Sequence, residues 1–171
     1  PVAAAEALRL PAGRGGRLAQ YWLGRVWYFG LVGPRDFNQA VRWLEAAAAQ
    51  GQARAKDLLA RCCFFGRGLS ENRVRAARLW REAAADGVVA ACFCHGMCLY
   101  AGEGEEADPL AAIAQFRAAA RKGVAGAMFL LGQCYTFGQG VTRDPEAGIA
   151  WYRRAAERGS REAEFELGEW L

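Results

Sequence analysis

The sequence predicts an all-α protein, a right-handed α-solenoid of antiparallel helix pairs that repeat every 36 residues. Three observations carry that expectation. Ala19, Ala55, Ala91, Ala127 and Ala163 fall at a spacing of 36. Two glycine columns keep the same step, Gly30, Gly66, Gly102 and Gly138 in one and Gly51, Gly87, Gly123 and Gly159 in the other. Between these columns the apolar residues follow helical periodicity, and strand-like alternation is scarce. Self-similarity at a period of roughly 20 to 50 residues marks a repeat architecture and outranks local motifs in setting a fold.

Residues 1–16 fall where the second helix of a preceding pair would lie. Pro11 occupies there the small-residue column of Ala47, Ala83, Ala119 and Ala155. Proline has no amide proton and crowds the preceding turn, so a helix is expected to break at it and the segment to serve as a partial cap. Four repeats follow, at about 17–51, 52–87, 88–123 and 124–159, and residues 160–171 begin a further first helix. The whole chain, 1–171, reads as a single array.

The fourth repeat is the clearest. Ala127, Met128, Leu131 and Tyr135 recur at helical spacing and define a first helix, A, with one buried stripe. Gly138 and Gly140 end it and turn the chain. Asp144 before Pro145 is a start signal for a second helix, B, since the carboxylate accepts free amides of the first turn and proline suits the first helical position. Gly148, Tyr152, Ala155 and Ala156 form the inner stripe of helix B, and Gly159 ends it. Small residues let the helices approach while Leu131, Tyr135 and Tyr152 fill the space beside them.

The pattern A-x-x-x-L-G-x-x-Y-x-x-G-x-G-V-x-x-D, followed by W-Y-x-x-A-A-x-x-G over residues 127–159, resembles the Sel1-like repeat, a relative of the tetratricopeptide repeat. In weaker form the resemblance covers about 17–171. The first repeat has GLVGPRD for the glycine loop, the second has Ala60 and Cys63 where a glycine and an aromatic are expected, and the third has His95 in the leucine column. The resemblance implies a scaffold for macromolecular complexes. Secreted, cysteine-rich relatives tie their helices with paired cysteines, often one after the alanine of helix B. Ala48, Ala84, Ala120 and Ala156 stand there in this chain. That separates it from the disulfide-stapled subset and favours a reducing, cytoplasmic compartment, a periplasmic or exported one being compatible with a removed leader. Binding or hydrolysis of β-lactam or peptidoglycan fragments, as in those relatives, is the alternative function.

Candidate chemistry is sparse. Cys62, Cys98 and Cys134 share a column and so sit on successive A helices, about 9 Å apart, beyond disulfide reach. They read as small buried apolar residues. In the run CFCHGMC, Cys94 and Cys98 share one helix edge and Cys92 and His95 another, so one helix does not bring all four to an ion, and no metal or cofactor is expected. There is one histidine, no G-x-S-x-G and no phosphate loop, so the chain is read as no enzyme. The acidic turn EGEEAD at 103–108 lacks calcium-loop spacing and reads as solvated. Net charge is +4, and the arginines alternate with acids instead of forming the one-signed stripe that nucleic acid requires. No segment is long and apolar enough for membrane insertion.

In a helical solenoid of this kind the A helices line a concave groove. Counting outward from the alanine column by two and by ten places Tyr21, Phe29, Phe65, Phe93, Phe129, Phe137 and Phe165 in it. The column six residues on adds Arg25, Arg61, Met97 and Gln133, and the column nine on adds Tyr28, Phe64 and Tyr100. Aromatic and arginine side chains anchor interfaces, so the expected partner is a protein or peptide.

Overall fold

A computed structural model describes residues 2–169 of the chain. The described residues form ten helices and no strand: α1 Val2–Gly13, α2 Arg17–Phe29, α3 Phe37–Ala49, α4 Ala53–Phe65, α5 Arg73–Ala85, α6 Val89–Ala101, α7 Pro109–Arg121, α8 Ala125–Phe137, α9 Pro145–Glu157 and α10 Arg161–Glu169. The even-numbered helices are the A helices of the sequence pattern and the odd-numbered ones the B helices. The chain divides into two compact units, residues 1–88 and 89–171. In the first, α1 packs on α2, α2 on α3, α3 on α4 and α4 on α5; in the second, α6 to α10 pack successively in the same way.

The turn chemistry follows from the columns. Gly30, Gly66 and Gly138 adopt φ of 67°, 63° and 74° at the ends of α2, α4 and α8, a left-handed conformation that a side chain disfavours. Each following B helix then starts on a side-chain cap: Asp36, Asn72, Asp108 and Asp144 accept from the amides of Gln39, Arg75, Ala111 and Ala147 at 2.9, 2.8, 2.9 and 3.0 Å. The backbone amides of the same four residues donate to the carbonyls of Trp27, Cys63, Leu99 and Tyr135 at 3.1, 2.8, 2.9 and 2.8 Å, which closes each turn.

Packing within each pair sets small against large. An added Cβ on Gly24 would stand 2.7 Å from Leu44 Cγ, and one on Gly96 would stand 2.7 Å from Phe116 Cε1. Gly132 lies against the Tyr152 ring in the same way. The second repeat uses Ala60 in this column beneath a buried Trp80. Leu131 and Tyr152 are fully buried, as the periodicity requires, whereas Tyr135 is only half-buried and carries the guanidinium of Arg117 on its hydroxyl.

Two expectations need correction. Pro11 does not break the first helix, which runs on to Gly13. The proline stands in the last turn, so only the bond its missing amide would have made is lost, and its carbonyl accepts from Gly16 at 2.9 Å. The buried position moves one residue on, to Ala12, which packs with Ala19 and Leu23. The acidic turn 103–108 is also not wholly solvated: Glu105 is half-buried and its carboxylate meets the buried imidazole of His95 at 3.1 Å.

All six cysteines are free thiols, and five of them are buried. Burial pushes Cys62 up to about 12 and Cys134 up to about 11, so both are protonated at neutral pH. Among the described residues no group of three or more His, Cys, Asp or Glu side chains is placed to hold a metal ion, and no helix is long and apolar enough to cross a membrane.

Candidate protein-interaction site

In the first unit Tyr21, Arg25, Tyr28 and Phe29 of α2 meet Arg54, Asp57, Leu58 and Arg61 of α4 around a hollow of about 460 Å³, whose lining Val88 completes. Helical spacing explains the set, since residues three, four, seven and eight apart share a face of α2. Tyr21 and Tyr28 are buried, while Phe29 is 43 % exposed. The Arg25 guanidinium lies 4.9 Å from the Trp22 ring centre and 5.7 Å from that of Phe29.

Asp57 interrupts the aromatic column of Tyr21, Phe93 and Phe129, and its neighbours show why. Trp80 of α5 donates its indole Nε1 to Asp57 Oδ1 at 3.0 Å, and Arg61 Nε stands 3.5 Å from Oδ2. A buried indole N–H requires an acceptor, and the carboxylate one helix away supplies it. The sequence pattern does not single out Arg54, whose column holds Leu18, Ala90 and Gly126 and repeats no residue type, or Leu58, whose column holds Trp22, Cys94 and Leu130 and reads as mixed apolar filling. The one legible signal was Trp80, the single indole in the column of Leu44, Phe116 and Tyr152.

The second unit repeats the hollow 72 residues on. Phe93 and Met97 of α6, Gly126, Phe129 and Leu130 of α8, and Ser160 correspond to Tyr21, Arg25, Arg54, Asp57, Leu58 and Val88, and they line a hollow of about 390 Å³. Ser160 caps α10, accepting from the Ala163 amide at 3.3 Å and donating to Glu162 at 3.0 Å.

The remaining expected residues lie outside these two hollows. Phe64 packs on Phe65 and Trp80 with ring centres 5.0 and 5.4 Å apart, and Phe65 is 57 % exposed beneath the Arg67 guanidinium. Tyr100 packs on Phe116 and donates its hydroxyl to Gln139. Gln133 is half-buried, and Phe137 and Phe165 are 63 % and 69 % exposed.

With this geometry in view, the class of protein is an all-helical repeat protein built of 36-residue helix pairs. The Sel1 repeat pattern matches four times, at residues 17–52, 53–88, 89–124 and 125–160, and the chain belongs to the Sel1 repeat family. Proteins of this family generally act as scaffolds for protein interactions and are typically non-enzymatic. The chain superposes with a TM-score of 0.90 and 31 % identity on a protective antigen of uropathogenic Escherichia coli strains that displays an SLR fold, covering 96 % of this chain and 35 % of that one. It superposes with a TM-score of 0.87 and 30 % identity on a Sel1 repeat protein from Oxalobacter formigenes, covering 96 % of this chain and 68 % of that one. The chain thus spans about a third of the length of the antigen. No curated protein matches it.

Proposed function

We propose that the chain is a non-enzymatic adaptor that binds a protein or peptide partner on the faces of its A helices. The observation that carries this reading is the recurrence, at a distance of 72 residues, of a hollow walled by A-helix aromatics: Tyr21, Tyr28 and Phe29 in one unit, Phe93 and Phe129 in the other. Phe29, Phe65, Phe137 and Phe165, each about half exposed or more, add apolar ring surface on the A helices. Rings at half exposure contribute to a helix packing only in part, and interfaces draw much of their energy from such anchors.

The lining groups suit binding better than catalysis. In the first hollow the only hydroxyls are those of Tyr21 and Tyr28, and in the second the Ser160 hydroxyl is engaged as a helix cap. The test is a titration of a partner captured from the native cell against single alanine variants. Phe29→Ala, Phe65→Ala and Phe137→Ala keep the helical circular-dichroism signal, and at least one weakens binding by about 2 kcal/mol or more. Arg81→Ala and Arg153→Ala, exposed on B helices, leave affinity unchanged. The reverse pattern would sink the A-helix assignment.

A further inference from the structure

The two hollows share their walls but not their charge. Arg25, Arg54 and Arg61 surround the first, against the single carboxylate of Asp57. The corresponding positions of the second are Met97, Gly126 and Gln133, and its one charged lining residue is Glu162. The cationic character is therefore a property of one site and not of the repeat.

Asp57 offsets only one of the three charges: one oxygen stands against Arg61 and the other accepts from Trp80, which leaves the charges of Arg25 and Arg54 uncompensated among the lining residues. Arg25 is steadied by the rings of Trp22 and Phe29, cation–π contacts that hold the cation without needing a hydrogen-bond acceptor. Arg54 is exposed in the first turn of α4, on the same rim. Beside these cations, Tyr21 and Phe29 offer flat apolar walls. A space of about 460 Å³ suits one or two side chains.

We propose that the hollow of the first unit receives an acidic peptide segment of a partner protein, a carboxylate side chain or chain end engaging Arg25 and Arg54 while an adjacent apolar side chain lies on Tyr21 and Phe29. The proposal rests on the adaptor reading above and names the chemistry of its partner. Guanidinium groups bind carboxylates through charge-assisted, geometrically specific hydrogen bonds. A nucleic-acid backbone is the poorer fit, because it follows a continuous positive track, and the equivalent of this site 72 residues on has no arginine.

The experiment is selection of short random peptides displayed on phage against the full chain, followed by titration of the recovered peptides, with labelled oligouridylate as a second probe. The expected peptides carry Asp, Glu or a free carboxyl end beside an apolar residue. Their affinity falls on the order of tenfold in Arg25→Gln and in Arg54→Ala, and falls again as salt rises. Circular dichroism verifies that both variants stay folded. Neutral or basic peptides that lose affinity in Phe29→Ala but not in the arginine variants overturn the acidic specificity and leave the adaptor reading standing. Oligouridylate binding with the same arginine dependence overturns it in favour of a nucleic acid. Recovery of no peptide at all overturns both readings.

Discussion

The Nε2 of His95 stands 3.1 Å from Oε1 of Glu105 inside the third repeat, the imidazole buried and the carboxylate half-buried. The same two columns hold Leu59 and Leu69 in the second repeat and Leu131 and Val141 in the fourth. An aliphatic pair has been exchanged for a base and an acid at both positions together. Breaking a buried pair by removing one member leaves the other desolvated and uncompensated, whereas replacing both by apolar groups is near neutral. His95→Leu and Glu105→Val are each expected to cost about 1 to 3 kcal/mol, and the double variant to return to within about 1 kcal/mol of the parent. Urea unfolding of the four proteins measures the coupling; strictly additive single costs would mean the two side chains do not cooperate.

Leu131→Ala and Tyr152→Ala each remove a fully buried side chain facing small residues, and each should destabilise by about 2 to 5 kcal/mol. Repeat units contact only their sequence neighbours, so amide exchange should rise first within residues 89–169. Unchanged midpoints in both variants would contradict the packing described.

The side-chain caps predict a smaller and uniform effect. Asp36→Ala, Asp108→Ala and Asp144→Ala each remove an acceptor for one amide of the following helix, at a cost of about 1 kcal/mol. Asp57→Ala, a carboxylate of another kind, should cost more, since it strands the buried Trp80 indole and removes the Arg61 partner together. Thermal unfolding of the four variants ranks them.

The buried thiols set an alkaline limit. Cys62 and Cys134 begin from an ordinary 9.0 and are held up to about 12 and about 11, chiefly by burial. Above pH 9 the unfolded chain releases these protons while the folded chain keeps them, so their contribution to stability is fully present below about pH 9 and is lost as pH rises through about 11 to 12. Urea midpoints on either side of this window should separate more for the parent than for Cys62→Ala/Cys134→Ala. Equal slopes would place the alkaline transition elsewhere. Alkylation of both thiols near neutral pH should be slow until denaturant is added.

Incubation with a chromogenic β-lactam should give no turnover above background. The lining of both hollows includes one aliphatic hydroxyl, that of Ser160, and Glu162 and the Ala163 amide occupy it. Hydrolysis that co-purifies with the chain and is lost in Ser160→Ala would establish an enzyme in place of an adaptor.

Period and glycine columns made the helix pairs legible, because turns and close approaches constrain backbone and volume identically in every copy. Pro11 was misread since its effect depends on distance from a helix end, which a column does not record. Glu105 was misread because its partner stands ten residues away in a position whose copies are leucine. Tyr21, Arg25, Tyr28, Phe29 and Arg61 could be placed together on the hollow from their columns; Arg54 could not, since its column repeats no residue type, and the acid that stands at Asp57 in an aromatic column is explained only by its packed neighbours Trp80 and Arg61.

Every turn between an A and a B helix is fastened within its own copy, the amides of Asp36, Asn72, Asp108 and Asp144 each reaching back to a carbonyl of the helix just before. A genetic event that adds or removes a whole number of 36-residue units in register therefore leaves all such bonds with both ends present, while a fractional one puts the columns that follow out of step with those before. Length in such a lineage is quantised: viable chains differ by whole rungs.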